Sequence, residues 1–180
     1  MKNITYTITY SIDELKQILK LQQNNLPASI SKIEKEKEGF VTVQHDLDTL
    51  RKMHHLEPHI IAKDGNNVIG YALSMVRSFK DDIDILKPMF VKIDNLLHTD
   101  TSYIVMGQVC IDKDFRKQGV FRGLYHKMQE ELRNKYDVLI TEVAADNTRS
   151  LNAHYAIGFT DLLVYEADGV MWHLLQWDWK

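Results

Sequence analysis

Cysteine is nearly missing from this chain: of its 180 residues, only Cys110 is one. An intrachain disulfide is therefore impossible, and a zinc site built on cysteines is excluded. Long hydrophobic runs are missing too. No stretch approaches the ~20 apolar residues that a membrane span needs, and the run from Tyr103 to Ile111 is short and contains Gln108. The first residues, Met1 to Tyr6, lack the apolar core of a signal peptide. Neither charge sign is in excess: 22 Lys+Arg against 25 Asp+Glu leave a net charge of -3, which argues against a whole-surface nucleic-acid binder. Neither G-x-x-x-x-G-K-S/T nor G-x-G-x-x-G occurs, so a P-loop nucleotidase and a Rossmann dinucleotide site lack support. Repeats, low-complexity segments and linkers are absent as well. The expectation is one soluble, cytoplasmic domain over residues 1–180, with no membrane and no nucleic-acid partner. Its 44% apolar content and small net charge suit a packed core rather than disorder.

What is present is a regular alternation of elements. Ile4, Tyr6, Ile8 and Tyr10 alternate with Thr5, Thr7 and Thr9, the period of a half-buried strand over residues 4–10. Ser11 and Glu14 form a capping box that opens a helix carrying Leu15, Ile18 and Leu19, ended by Asn24-Asn25-Leu26-Pro27. The charged run Lys32 to Glu38 reads as a short solvated helix, Phe40 to Val43 as an extended piece, and Asp46 to Leu56 as a helix stopped by Pro58. His59–Ala62 and Val68–Arg77 form a hairpin across Asp64-Gly65-Asn66-Asn67. Residues 78–99, with Asp81, Asp82, Asp84 and Pro88, read as a long connection. Residues 103–111 and 138–144 are continuous apolar strands of the kind covered on both faces. Residues 116–135 and 148–157 have helical spacing, the second closed by Gly158. Phe159–Tyr165 and Val170–Trp177 make a final hairpin. The order β-α-α-β-β-β-α-β-α-β-β describes a mixed α/β domain.

Chemistry concentrates in Arg116-Lys117-Gln118-Gly119-Val120-Phe121-Arg122, which joins the central strand to a helix. It carries three cations, one glycine and no acid. A helix N-terminus presents amides and about half a positive charge, which suits a phosphate or pyrophosphate. Gly119 lets the backbone approach such a ligand. The same residues also fit a plain solvated helix start, and both readings stand at this point.

Arg116 and Gly119 resemble the first and fourth positions of the acyl-CoA-binding motif of the GNAT superfamily of N-acetyltransferases, Arg/Gln-x-x-Gly-x-Gly/Ala. Phe121 stands where Gly or Ala is usual. Downstream, Asn147, Ser150, Gly158 and Phe159 are similar to the family pattern N-x-x-A/S-x-x-x-Y-x-x-x-G-F. The position of its tyrosine is taken by His154, and Tyr155 lies one residue later. The resemblance implies a GNAT-like acyl-CoA N-acyltransferase fold: a central, mixed and mostly antiparallel sheet flanked by helices. It also implies acetyl-CoA as co-substrate and direct attack on its thioester by a primary amine of a small molecule or peptide.

By that resemblance Val109, Cys110 and Ile111 would offer backbone groups to pantetheine. The segment Arg116, Lys117, Gln118, Gly119, Val120, Phe121 and Arg122 would hold the pyrophosphate. Asn147 and Ser150 would also serve the co-substrate, Asn147 alongside or instead of capping the next helix. His154 and Tyr155 are the alternative acids for the departing thiolate, with water as a third. Glu142, a carboxylate in an apolar strand, is the base candidate; a salt bridge or a solvated strand end would explain it equally. Cys110 as an acyl carrier is disfavoured, since a buried cysteine without an activating base is inert. His45, His54, His55 and His59 lack metal-ligand spacing and read as a solvated helix end, so no metal is expected. Trp172, Trp177 and Trp179 read as packing. The alternative to an enzyme is a non-catalytic CoA-binding or sensing module on the same fold. The oligomeric state stays open, a homodimer included.

Overall fold

In a computed structural model, residues 3–26, 41, 43–82 and 86–180 are described. The charged run 32–38 and Asp84 lie outside them. Seven strands form one sheet: β1 (Ile4–Ile8), β2 (Ile60–Asp64), β3 (Asn67–Val76), β4 (Tyr103–Ile111), β5 (Val138–Ala144), β6 (Thr160–Ala167) and β7 (Val170–Asp178), in the order β1-β2-β3-β4-β5-β7-β6. β1 with β2, β2 with β3, β5 with β7 and β6 with β7 pair antiparallel. β4 and β5 pair in parallel. Five helices accompany them: α1 (Ile12–Gln23), α2 (Leu47–Leu56), α3 (Lys87–Leu96), α4 (Val120–Leu132) and α5 (Thr148–Tyr155). This is the mixed α/β sheet flanked by helices that the sequence implied.

The chain forms two compact units, Met1–Ser74 with Gln108–Glu130, and Met75–Gly107 with Glu131–Lys180. In the first, Leu15 and Ile18 of α1, Leu50 of α2, Ile60 and Ile61 of β2, Tyr71 of β3, and Leu124, Tyr125 and Met128 of α4 are fully buried. The Ser11–Glu14 capping box is present as read. Glu14 also takes Lys63 at 2.9 Å. Burial raises the Glu14 pKa, but Lys63 and the Tyr10 and Ser11 amides outweigh it and hold the carboxyl low. Gln108, the polar break in β4, is satisfied within this unit. It accepts from Gln22 at 2.9 Å and Tyr71 at 2.6 Å, and donates to the Val43 carbonyl at 2.7 Å. Asn25, just past α1, accepts the Val41 amide on its carbonyl at 3.3 Å.

In the second unit Phe90 and Ile93 of α3, Ile104 of β4, Leu139 and Ile140 of β5, and Leu174 and Leu175 of β7 form the buried set. Gly158 follows α5 at φ 121, the left-handed side of the map that a side chain disfavours. Asp168 and Gly169 close the β6–β7 turn, both at positive φ.

Several boundaries differ from the sequence reading. The first strand stops at Ile8, and the alternation inverts: Thr9 is 1% exposed and Tyr10 72%. The Thr9 hydroxyl is held between the His59 amide and His54 Nδ1, while the Tyr10 amide joins the capping box through Glu14. The connection 78–99 is not without structure: it contains a 3-10 turn, Arg77–Asp81, and α3. Pro88 falls in the first turn of α3, where its missing N–H costs nothing. The helix read over 116–135 is Val120–Leu132, because residues 116–119 form a turn. The helix read over 148–157 ends at Tyr155. Phe40 to Val43 does not form a strand at its described residues, Val41 and Val43. Of the four histidines read as solvated, only His55 is exposed, while His45 and His59 are buried.

Candidate functional site

In the first unit, β4 ends at Ile111 and a 3-10 turn, Lys113–Phe115, leads into the basic segment. Lys117 and Gly119 both take positive φ, 61° and 80°. Successive turns of this kind aim backbone amides into one concavity. A side chain at Gly119 would meet nothing within 4 Å, so the loop faces open space there. The Gly119 carbonyl accepts the Gly123 amide at 3.0 Å, which makes Gly119 the residue that starts α4. The first-turn amides of Val120, Phe121 and Arg122 therefore point back past Gly119. Gln118 braces the loop by donating to the Asp114 carbonyl at 2.9 Å.

The basic side chains divide their tasks. Lys117 and Arg122 are exposed beside the loop. Arg116 turns inward, its Nε donating to the Ile111 carbonyl at 3.2 Å and its Nη2 to Asn25 Oδ1 at 2.6 Å. It ties the loop to the end of β4 and to the end of α1. Phe121 lies on Tyr125 four residues on, ring centroids 4.9 Å apart, so its bulk is carried along the helix. Val109 and Ile111 are half-buried; Cys110 is buried, and burial pushes its thiol up to about 12. Close packing seats α4 on the sheet: a Cβ on Gly123 would lie 2.1 Å from the Tyr6 ring.

In the second unit the parallel register of β4 with β5 covers Tyr103–Val105 against Val138–Ile140, the first three residues of each strand. Thr141 Oγ1 then donates to the Met106 carbonyl at 3.0 Å. β5, by contrast, follows β7 along its whole length, Val138 to Ala144. Asn147 caps α5, its side chain accepting the Ser150 amide at 3.3 Å. His154 is 1% exposed. Its Nδ1 lies 2.7 Å from the Ser150 carbonyl, so that nitrogen carries the hydrogen, and the ring meets Phe159 edge-on. Burial drives its pKa down to about 4, and the ring is neutral near pH 7.

Tyr155 faces elsewhere, as neighbours 100° apart on a helix must. Its hydroxyl donates to Asp161 at 3.0 Å and lies 3.2 Å from His173 Nδ1, which is itself 2.7 Å from Asp161. Burial and then Asp161 raise its pKa. Glu142 is half-buried, and burial raises its pKa. Its Oε1 accepts from the Tyr165 hydroxyl, and the Lys92 ammonium sits 4.3 Å from the centre of the Tyr165 ring. Sequence reasoning missed Tyr165 and Lys92. Tyr165 looks like any aromatic in an alternating strand, and Lys92 falls in the stretch read as a connection. Among the described residues no three His, Cys, Asp or Glu side chains form a metal cluster, and no helix is long and apolar enough to cross a membrane.

Solved structures share this fold. The ribosomal-protein-S18-alanine N-acetyltransferase from Escherichia coli superposes with a TM-score of 0.64 at 12% identity, covering 98% of this chain and 94% of that one. An N-acetyltransferase from Staphylococcus aureus Mu50 gives 0.64 at 16% identity, covering 99% of each chain. The structure of yncA from Salmonella typhimurium, which holds its cofactor acetyl-CoA, gives 0.65 at 13% identity, covering 98% and 94%. No curated protein sequence matches the chain. The model of the Acetyltransferase (GNAT) family, however, matches residues 16–159. With the strand, basic turn and capped helices in place across that span, the chain belongs to the GNAT acetyltransferase family.

Proposed function

We propose that this chain is an acetyl-CoA-dependent N-acetyltransferase acting on a primary amine of a small molecule or peptide. The observation that carries the reading is the turn 116–119, where Lys117 and Gly119 hold left-handed backbone in front of α4 and Gly119 opens on space. The amides of Gln118 to Arg122 take the pyrophosphate, and the exposed Lys117 and Arg122 add counter-charge. The backbone of β4 at Val109, Cys110 and Ile111 takes pantetheine; its pairing with β5 involves Tyr103–Val105, earlier in the strand, which supports this use. Acetyl-CoA supplies an acetyl group activated as a thioester.

The acceptor must lose a proton before its nitrogen can attack. Glu142 takes that proton, directly or through water, and its raised pKa moves it toward the working pH of a base. As the C–N bond forms and the C–S bond breaks, the departing thiolate gains a proton, and the nitrogen sheds its second, which restores the donor. Tyr155 keeps its own through neutral pH, whereas His154 carries no second proton there, so Tyr155 is assigned the donor's part.

Thiol release from acetyl-CoA, measured across a panel of primary amines, tests the reading. Release that depends on one class of amine supports it, and Glu142→Gln should cut that rate about 100-fold or more. Binding of CoA by calorimetry without release on any amine would favour a CoA-binding or sensing module instead. The features on that side are Phe121 at a position the family keeps small and the neutral, buried His154.

A further inference from the structure

Glu142 does not stand alone. On β6, Tyr165 donates its hydroxyl to Glu142 Oε1, and on α3, Lys92 lies over the Tyr165 ring at 4.3 Å. Three elements distant in sequence thus converge on one carboxylate. β7 places the uncharged Leu174 opposite Glu142. α5, which also packs on β5, carries three titratable groups, Arg149, the neutral His154 and Tyr155, the last bonded to Asp161. All three members of the cluster are half-buried, where a cation and a phenol act on a carboxylate far more strongly than in bulk water.

We propose that Tyr165 and Lys92 are positioning residues that fix the Glu142 carboxylate and set its proton affinity for acetyl transfer. The inference rests on Glu142 acting as the base. Tyr165 supplies geometry: a donor on Oε1 fixes the carboxylate rotamer and leaves Oε2 as the basic atom. Lys92 supplies charge while covering the ring face, which anchors the phenol and opposes the cost of a buried anion. The two influences on Glu142 pull in opposite directions. Burial, the larger, raises its pKa, and Tyr165 and Lys92 lower it. Burial and Glu142 push Tyr165 well above 10, so it stays a donor at any working pH.

The test is a carboxyl carbon-13 titration of Glu142 in the full chain, with the signal assigned by its loss in Glu142→Gln. Tyr165→Phe should raise the Glu142 titration midpoint by about one pH unit, since a hydrogen bond to the charged form is lost. Lys92→Met should move it the same way by a smaller amount, and Lys92→Arg should restore it. A Glu142 midpoint unchanged in folded Tyr165→Phe and Lys92→Met would overturn the proposal, whatever their activity. The pH profile of thiol release, with the fastest amine of the panel, separates this from the parent reading. Its acid limb should move with the carbon-13 midpoint. If the midpoint moves while Glu142→Gln keeps full activity, the base assignment falls and the catalytic part of the proposal falls with it.

Discussion

Lowering the pH from 8 to 5 is expected to remove about 4 kcal/mol of folding stability through two histidines, a large share of a domain's usual ~5–15 kcal/mol. His154 is 1% exposed and His59 0%. Burial drives their pKa values from 6.5 to about 4 and about 3. Burial keeps each ring neutral against the carbonyl it donates to, Ser150 for His154 and Leu50 for His59, since those bonds favour the charged form. The Ser74 amide, which donates to His59 Nδ1, favours the neutral ring. Both folded values lie below the unfolded one, so the unfolded chain binds protons that the folded chain refuses. Their contribution is full above pH 6.5 and is lost as pH falls toward the folded values. At pH 5 each has lost about 2 kcal/mol, from RT ln of the ratio of the two proton-binding polynomials. Urea unfolding at pH 8, 6 and 5 reads the total, to which His45 and His54, also lowered by burial, add loss and Glu142, raised by burial, adds gain. Comparison with a variant isolates one ring. Replacement His154→Phe should cut the loss between pH 8 and 5 by about 2 kcal/mol, whatever it does to stability at pH 8. The lowered pKa of Glu14 places its own loss further toward acid. Equal pH 8-to-5 losses in the parent and in His154→Phe would refute the reasoning.

Other outcomes follow from the same structure. Arg122→Ala should weaken acetyl-CoA binding about 10- to 100-fold by calorimetry, the range for losing a charge-assisted bond, and unchanged affinity would remove Arg122 from the pyrophosphate. Cys110, with its thiol at about 12, should resist iodoacetamide at pH 7.5 in the folded protein and react only on unfolding; mass spectrometry reads the adduct. Gly123→Ala would ordinarily stabilise a helix by about 1 kcal/mol. Here the new Cβ meets Tyr6 at 2.1 Å, so a net loss of about 1–2 kcal/mol is expected, relieved in the double variant with Tyr6→Leu. A more stable single variant would contradict that packing.

The two apolar strands, Tyr103–Ile111 and Val138–Ala144, were legible to the residue because burial on both faces writes itself into every position. Ser11 with Glu14 marked a helix start, and Gly158 a helix end, because caps are local chemistry. The chain around Thr9 was not legible: its partners, His54 and His59, are more than forty residues away. α3 was hidden by Pro88 and by the acids before it, although Met89, Phe90 and Ile93 form its buried face. At the site, a glycine and three cations marked the turn that the proposed function gives to a pyrophosphate. The inward turn of Arg116 onto Asn25 could not be read, since nothing near Asn25 signals a guanidinium ninety-one residues later. Glu142 stood out as a lone carboxylate, but its partners Tyr165 and Lys92 sit on elements that only the fold brings to it.

Asn25 receives the Arg116 guanidinium on its side chain and the Val41 amide on its carbonyl. One residue thereby serves two partners through two different groups: its side chain holds the Arg116 guanidinium and its backbone carbonyl holds the Val41 amide. A substitution at position 25 can release the guanidinium without removing the backbone bond. The brace behind the basic turn and the tie at Val41 are therefore separable by mutation, although they meet at a single residue.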